Sequence, residues 1–235
     1  MAEVYDYPAG FDDPGNKNAW FGRIIGQGKR VLEVGCATGY VGEHLVQQQG
    51  CRVHGIEYVA GVAEQARGRG CYEQVLTGDI MDPDTVASLT PGGFDFVLFG
   101  DVLEHLIAPE KALRNVAPLL APGGHILICV PSIIHWSLRW RILRGRFEYT
   151  DTGPLDRTHV HFFTPKTARD LVRAEGFRVV QEGGVVWLPS VVYKLPPKAR
   201  GALERSLARL SPDLVYGQSL LDVQRETDVQ REAAL

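Results

Sequence analysis

The sequence predicts an α/β fold: a doubly wound, mostly parallel sheet with helices on both faces. Two observations carry this. From Arg30 to Pro131 short apolar runs alternate with longer amphipathic ones, and the short runs are apolar throughout rather than at every second position. Strands buried on both faces read this way, because each side of the sheet must be covered.

Taken in order, Arg30–Gly35 (RVLEVG) is a β-branched run closed by glycine, and predicts the first strand. Tyr40–Gln49 follows with apolar residues at 41, 45 and 46, and Gly50 is placed to end a helix. Arg52–Glu57 predicts a strand, Ala60–Arg69 a helix, and Gln74–Asp79 a strand. Phe94–Gly100 (FDFVLFG) predicts the next strand, Pro109–Leu120 a helix, and His125–Pro131 (HILICVP) a fifth strand. Right-handed crossovers would bring the C-terminal strand ends to one edge, where such sheets bind ligands. Beyond Pro131 the pattern loosens. Ile133–Phe147 reads as helical and Glu148–His159 as a loop. Thr164 caps a helix that starts at Pro165 and ends at Gly176. Phe177–Val186 reads as a strand, Pro197–Leu210 as an amphipathic helix and Leu214–Val223 as a last strand.

Composition narrows the function classes. A chain of 235 residues fits one α/β domain with decorations. A formal charge of −3 gives no general reason to expect nucleic acid as a partner. No apolar run reaches the ~20 residues of a membrane span, so stable membrane insertion is not expected. The N-terminus, MAEVYDYPAGFDD, is acidic where an export signal would be basic, which points to the cytoplasm. Cys36, Cys51, Cys71 and Cys129 include no C-x-x-C pair and read as reduced thiols rather than a metal cluster.

The first strand ends in Glu33-Val34-Gly35-Cys36-Ala37-Thr38-Gly39. Glycines here let the backbone turn tightly and come close to a ligand at a helix start. A dinucleotide fingerprint would read G-x-G-x-x-G, whereas Gly35, Gly39 and Gly42 have another spacing and Ala37 stands at the centre. Alone, such a loop could equally be a tight turn with no ligand. Glu57, however, ends the second strand, where a carboxylate can accept from both ribose hydroxyls. Asp79, in Gly78-Asp79-Ile80, ends the third strand, and Gly100-Asp101-Val102-Leu103-Glu104-His105 ends the fourth.

Glu33–Gly39, Glu57, Gly78–Ile80, Asp95–Leu106 and Leu120–Gly124 resemble the successive motifs of class I S-adenosylmethionine-dependent methyltransferases, in order and each at a strand end. The resemblance implies a seven-stranded Rossmann-like sheet, with an edge strand antiparallel to the rest and a helical lid inserted after the fifth strand. It implies an N-terminal lid segment over 1–28 and a cofactor-binding core over 29–132. A lid and substrate insertion (133–163), a C-terminal completion of the sheet (164–225) and a loose tail (226–235) would follow. It further implies that Glu33, Gly35 and Ala37 line the methionine half of S-adenosyl-L-methionine, with Gly39 also among the cofactor-binding residues. Glu57 would hold the ribose with Tyr58 beside it. Asp79 and the backbone of Ile80 would read adenine, and backbone near Asp101 would approach the methionine amine. Ala37 replaces the glycine most common at its position.

The acceptor is less legible. Neither an Asn/Asp-Pro-Pro-aromatic motif after the fourth strand nor a Pro-Cys nucleophile is present, which sets base methylation aside and leaves a small-molecule acceptor. Leu155–Thr164 resembles a segment of methyltransferases of bacterial glycan and secondary-metabolite pathways, which implies O-methylation of a sugar, polyketide or similar metabolite. The plainer alternative is a loop whose Phe162 and Phe163 pin the next helix. A hydroxyl acceptor needs a base, and His161, then His105, then His159 are the candidates, with Asp156 or Glu104 as orienting acids. His159 and His161 would share a side in an extended segment; with no Cys or third His at ligand spacing, a metal site is not expected. Ile133, Trp136, Trp140, Leu143 and Phe147 form an apolar helical stripe flanked by Arg139, Arg146, Arg141 and Arg144. That helix is either a lid packed through its stripe or a surface for an anionic partner. A non-catalytic cofactor-binding subunit and a nicotinamide-dependent oxidoreductase are the alternative functions. The sequence carries no signal for the oligomeric state.

Overall fold

The computed structural model of the chain describes residues 10–226. Seven strands form one sheet in the order β3-β2-β1-β4-β5-β7-β6. They are β1 (Arg30–Val34), β2 (Arg52–Glu57), β3 (Gln74–Thr77), β4 (Phe94–Gly100), β5 (Leu120–Pro131), β6 (Phe177–Val186) and β7 (Tyr216–Arg225). Neighbours from β3 through β5 pair in parallel. β7 runs antiparallel to both β5 and β6. The strand order therefore reverses between β1 and β4, and the antiparallel strand lies one in from the edge, not at the edge. The edge strand is β6. Its ten residues need a neighbour that returns from the opposite end of the sheet, and the chain supplies one through α8 (Pro197–Leu210) and α9 (Pro212–Val215).

Alternation along each strand distributes the apolar side chains between two cores. Leu32, Val34, Ile56, Val97, Phe99, Ile126 and Ile128 face one side, under α5 (Pro109–Val116) and α7 (Pro165–Ala174). Val31, Val53, Phe96, Leu98, Leu127 and Cys129 face the other, under α1 (Lys17–Ile25) and α2 (Tyr40–Gln49). The continuous apolar runs thus arise from burial on both faces. A smaller cluster packs α3 (Ala60–Gly68) over β3 through Ala63, Ala66 and Val75.

Several boundaries differ from the sequence expectation for local reasons. Residues 10–28 contain a helix, α1. The Asn16 side chain accepts from the Asn18 N–H at 2.9 Å to cap it, and Gly26 ends it at φ 69°. Trp20, Phe21 and Ile25 anchor α1 in the core. A short helix, α4 (Pro83–Ala87), follows its Asp82 cap and N-terminal proline. The helix from Pro109 gives way to a 3-10 turn at Ala117–Leu119, and β5 starts at Leu120, ahead of the apolar run at His125. The tail beyond Glu226 and residues 1–9 lie outside the described residues.

The insertion after β5 departs furthest. The expected helix over 133–147 is only α6 (Trp136–Leu143), capped by His135 and stopped at Arg144, with Gly145 at φ 70°. Its apolar stripe meets the domain only at its start, where Trp136 Nε1 donates to the Trp187 carbonyl at 3.0 Å. Leu138 is the buried residue of α6, whereas Trp140 and Leu143 are 52% and 79% exposed. Phe147 instead meets Tyr149 and Phe162 edge-on. The loop from 148 to 163 is tied down at two places. Val160 and His161 N–H donate to the Glu104 carbonyl at 2.9 and 3.1 Å, and Phe163 enters the core.

Candidate active site

At the reversal between β1 and β4 the C-terminal strand ends open a cavity of about 560 Å³, within the usual size of a small-molecule site. Its floor is the turn after β1. Gly35 takes φ 71° and a Cβ there would stand 2.6 Å from Val102 Cγ2, so both backbone sign and space require glycine. Among the described residues, Ala37 (φ 46°) and Asp101 (φ 61°) are the non-glycine residues held at positive φ, and both line the cavity. Strained backbone gathered at one cavity is a mark of a functional site. Gly39, at φ 85°, is the N-terminal cap of α2 just behind the floor.

Electrostatics at the floor come from a few buried groups. Glu33 is 5% exposed and accepts from the Tyr72 hydroxyl at 2.6 Å. Burial pushes its carboxyl up to about 7, against the Tyr72 and Gly42 hydrogen bonds, which favour the charged form. Lys17, from α1, reaches into the cavity and pairs with Asp101. Burial alone would lower the Lys17 ammonium, but the Asp101 charge and hydrogen bond override it and hold it above the ordinary lysine value. Asp101 also accepts from Gln218 Nε2 at 2.8 Å and faces the Cys129 thiol at 3.1 Å. The sequence reading missed Lys17 and Gln218. Lys17 carried no signal beyond its place in a capped helix, and Gln218 reaches the site only because β7 lies against β5.

Away from the cavity, Glu57 ends β2 and supports the same floor. Its Oε2 accepts from Ala37 N–H at 3.0 Å and its Oε1 from Val59 N–H at 2.9 Å. Asp79 follows β3, and its Oδ1 accepts from Met81 N–H at 2.8 Å. Tyr58 is 75% exposed beside Glu57, whereas the Ile80 side chain is buried and its carbonyl accepts from Asn115 Nδ2 at 2.8 Å. Thus Glu33, Gly35, Ala37 and Asp101 line the cavity, and Gly39, Glu57, Tyr58, Asp79 and Ile80 lie along the strand ends outside it.

The opposite wall holds the histidines. His105 and His159 both line the cavity, with ring centroids 4.7 Å apart in an edge arrangement. Burial, and then the neighbouring His105, push His159 below the ordinary imidazole value. His161 is not in the lining; its Nε2 lies 3.1 Å from the Ile107 carbonyl. His159 and His161 do not form the expected extended pair, because the successive Val160 and His161 N–H groups both donate to the Glu104 carbonyl, whereas N–H groups alternate sides in an extended run. The cavity brings His105 and His159 together and leaves His161, the first candidate from the sequence, outside its lining. Glu104, fully buried, joins them. Neither of its carboxyl oxygens has a hydrogen-bond partner among the described residues, and burial, then the Asp101 charge, hold it well above the ordinary carboxyl value. Ligand-capable atoms of Glu104, His105 and His159 lie within 4.8 Å of one another, a grouping the spacing of the histidines alone did not reveal.

Comparison with known proteins agrees with this arrangement. A family described as a methyltransferase domain matches residues 16–182. The ubiquinone biosynthesis O-methyltransferase of Aeromonas salmonicida (strain A449) is 28% identical over 163 residues, covering 69% of this chain and 68% of that protein. Among solved structures, a SAM-dependent methyltransferase from Archaeoglobus fulgidus shares the fold with a TM-score of 0.62 at 15% identity, covering 91% and 94% of the two chains. The 1,6-didemethyltoxoflavin-N1-methyltransferase of Burkholderia thailandensis, solved with its substrate and S-adenosylhomocysteine, shares it at 0.60 and 18% identity, over 95% of this chain and 81% of that one. With its glycine-turned floor, acidic strand ends and matching family, the chain belongs to the methyltransferase-domain family and is a class I S-adenosylmethionine-dependent methyltransferase.

Proposed function

We propose that the chain transfers a methyl group to a hydroxyl of a small-molecule acceptor, with His105 as the base that takes the hydroxyl proton. The observation that carries this reading is that His105 and His159 line the same cavity as Gly35, Ala37 and Asp101. A hydroxyl must lose its proton as it attacks, and imidazole is suited to this near neutral pH. Amine acceptors need no such group. The O-methyltransferase name of the Aeromonas relative supports the same reaction class.

The residues fit the cofactor. S-adenosylmethionine, when bound, supplies a methyl group already activated on a sulfonium sulfur. Glu57 would hold the ribose hydroxyls, and Asp79 with the Ile80 backbone the adenine edge. At the floor the Lys17–Asp101 pair offers a cation and an anion side by side, the complement of an amino-acid zwitterion. Lys17 would take the carboxylate and Asp101 the ammonium, with Glu33 behind. Burial, then the Asp101 charge, raise the Glu104 carboxyl, which disfavours a second negative charge beside the acceptor. Thr152–Pro154, from the insertion, line the cavity and would exclude water, so residues 10–28 and 133–163 act as the lid over the core.

A sugar or polyketide hydroxyl is the finer assignment for the acceptor. The helix at Arg139–Arg146 would receive an anionic portion of it. Arg141 is engaged by Glu148 and Arg144 stacks on Trp140, but both pairs are at the surface and open to exchange. The test is transfer from methyl-labelled S-adenosylmethionine to separate panels of phenols, glycosides and polyketides. Label on an oxygen of one panel supports the reading; label only on amines refutes it. Reversing two of the arginines to glutamate should raise the acceptor KM and leave cofactor affinity unchanged.

A further inference from the structure

The His105 ring nitrogens are not equivalent in this fold, and the residues that distinguish them come from the insertion. Asp156 is 3% exposed, and its Oδ1 accepts from Thr158 N–H at 2.8 Å and from the Thr158 hydroxyl at 2.7 Å. With its proton committed to Asp156, the Thr158 hydroxyl has only lone pairs left for His105 Nδ1, which stands 3.1 Å away. The other neighbour of Nδ1 is the Thr158 carbonyl at 3.3 Å, which can only accept. Both partners of Nδ1 are therefore acceptors, so Nδ1 carries the proton and Nε2 carries the lone pair.

We propose that Thr158 and Asp156 are positioning residues for His105: the chain Asp156–Thr158–His105 fixes the tautomer that leaves Nε2 bare and able to accept a proton from the acceptor. The inference rests on His105 being the base. It extends that reading by giving the base an orienting device, the part played by a buried acid in other base–orienter sites. The turn Asp156–His159 serves this purpose directly. It turns Thr158 back toward His105, while the hydrogen bonds from Val160 and His161 to the Glu104 carbonyl lock the insertion to the residue beside His105. His105 is exposed at the rim, so packing alone does not set its ring. The other charged or titratable groups around it are His159 on the insertion, Asp101 and Glu104 beyond β4, and Lys17 on α1. Among these and Asp156, Thr158 is the residue that touches Nδ1.

The test reads the ring itself and needs no acceptor. Nitrogen-15 NMR of the imidazoles, in the full chain with S-adenosylhomocysteine, is expected to show His105 protonated at Nδ1 and bare at Nε2. Thr158→Val should let the proton appear on Nε2 in a measurable fraction of molecules, and Thr158→Ser should restore the wild-type pattern. Asp156→Ala, which removes the acceptor that holds the Thr158 hydroxyl proton, should likewise let the proton appear on Nε2. The signals of His161 should stay unchanged in all three, and unchanged S-adenosylhomocysteine affinity would show that each variant folds. His105 found with its proton on Nε2 in the wild type would overturn the proposal, as would a Thr158→Val spectrum identical to wild type. Failure of the methylation reading would show separately, as absence of label transfer with the His105 tautomer as described.

Discussion

Glu33 offers a quantitative test of how the cavity floor is built. Its carboxyl moves from 4.5 to about 7 because burial penalises the charge more than Tyr72 and Gly42 relieve it. The folded chain therefore holds this proton more tightly than the unfolded chain. The associated stability is complete below about pH 4.5, is lost as pH rises through about 7, and stays lost above. At 1.36 kcal/mol per pH unit, the charged form costs the unliganded protein about 1 kcal/mol at pH 5 and about 3 kcal/mol at pH 8. Glu33→Gln keeps an acceptor for the Tyr72 hydroxyl and removes the charge. Urea unfolding of the unliganded protein should find the variant more stable than wild type by those amounts, with the gap widening between the two pH values. The same variant should bind S-adenosylhomocysteine more weakly at pH 8, having lost the charge behind the methionine ammonium. A gap that does not change with pH, or a wild type more stable than the variant at pH 8, would refute the reasoning.

Further expectations follow the same geometry. Glu57→Ala removes the acceptor of Ala37 and Val59 N–H as well as the ribose ligand, and should weaken cofactor binding by roughly 10- to 100-fold in calorimetry. Asp79→Ala should cost less, because the Ile80 backbone remains in place. Lys17→Met should weaken S-adenosylhomocysteine more than adenosine in competition, since the contact it loses is to the amino-acid end. His105→Ala should lower kcat by roughly 10²–10⁴ with cofactor affinity nearly unchanged, whereas His161→Ala should leave kcat near wild type. Turnover should persist in EDTA; loss that Mn²⁺ restores would make Glu104, His105 and His159 ligands of a cation.

The parts of the fold that were legible are those governed by local periodicity. The strands β1, β2, β4 and the second half of β5 are apolar runs buried between the two helical layers. Pro197–Leu210 was equally clear, from its N-terminal proline and amphipathic spacing. Glu33, Glu57 and Asp79, the acids proposed to hold the cofactor, could be singled out because they fall at or just past strand ends, a position that sequence order fixes. What escaped depended on tertiary placement. β7 lies between β5 and β6, and nothing in its own ten residues says so. Lys17 reaches Asp101 across 84 positions, and Glu104 meets His159 only through the turn at Asp156–His159. The two successive N–H groups at Val160 and His161 that converge on the Glu104 carbonyl break the extended run that a shared side for His159 and His161 requires. The apolar stripe of α6 misled because periodicity reports amphipathicity but not whether a partner surface exists within the same chain.

The central claim is that the cavity between β1 and β4 holds the methyl donor, and calorimetric titration of the wild-type chain tests it most directly. S-adenosylhomocysteine is expected to bind with one-to-one stoichiometry, with affinity reduced by both Glu57→Ala and Lys17→Met, and NAD to give no heat. Binding of NAD in preference to S-adenosylhomocysteine, or S-adenosylhomocysteine binding that neither variant alters, would contradict the account.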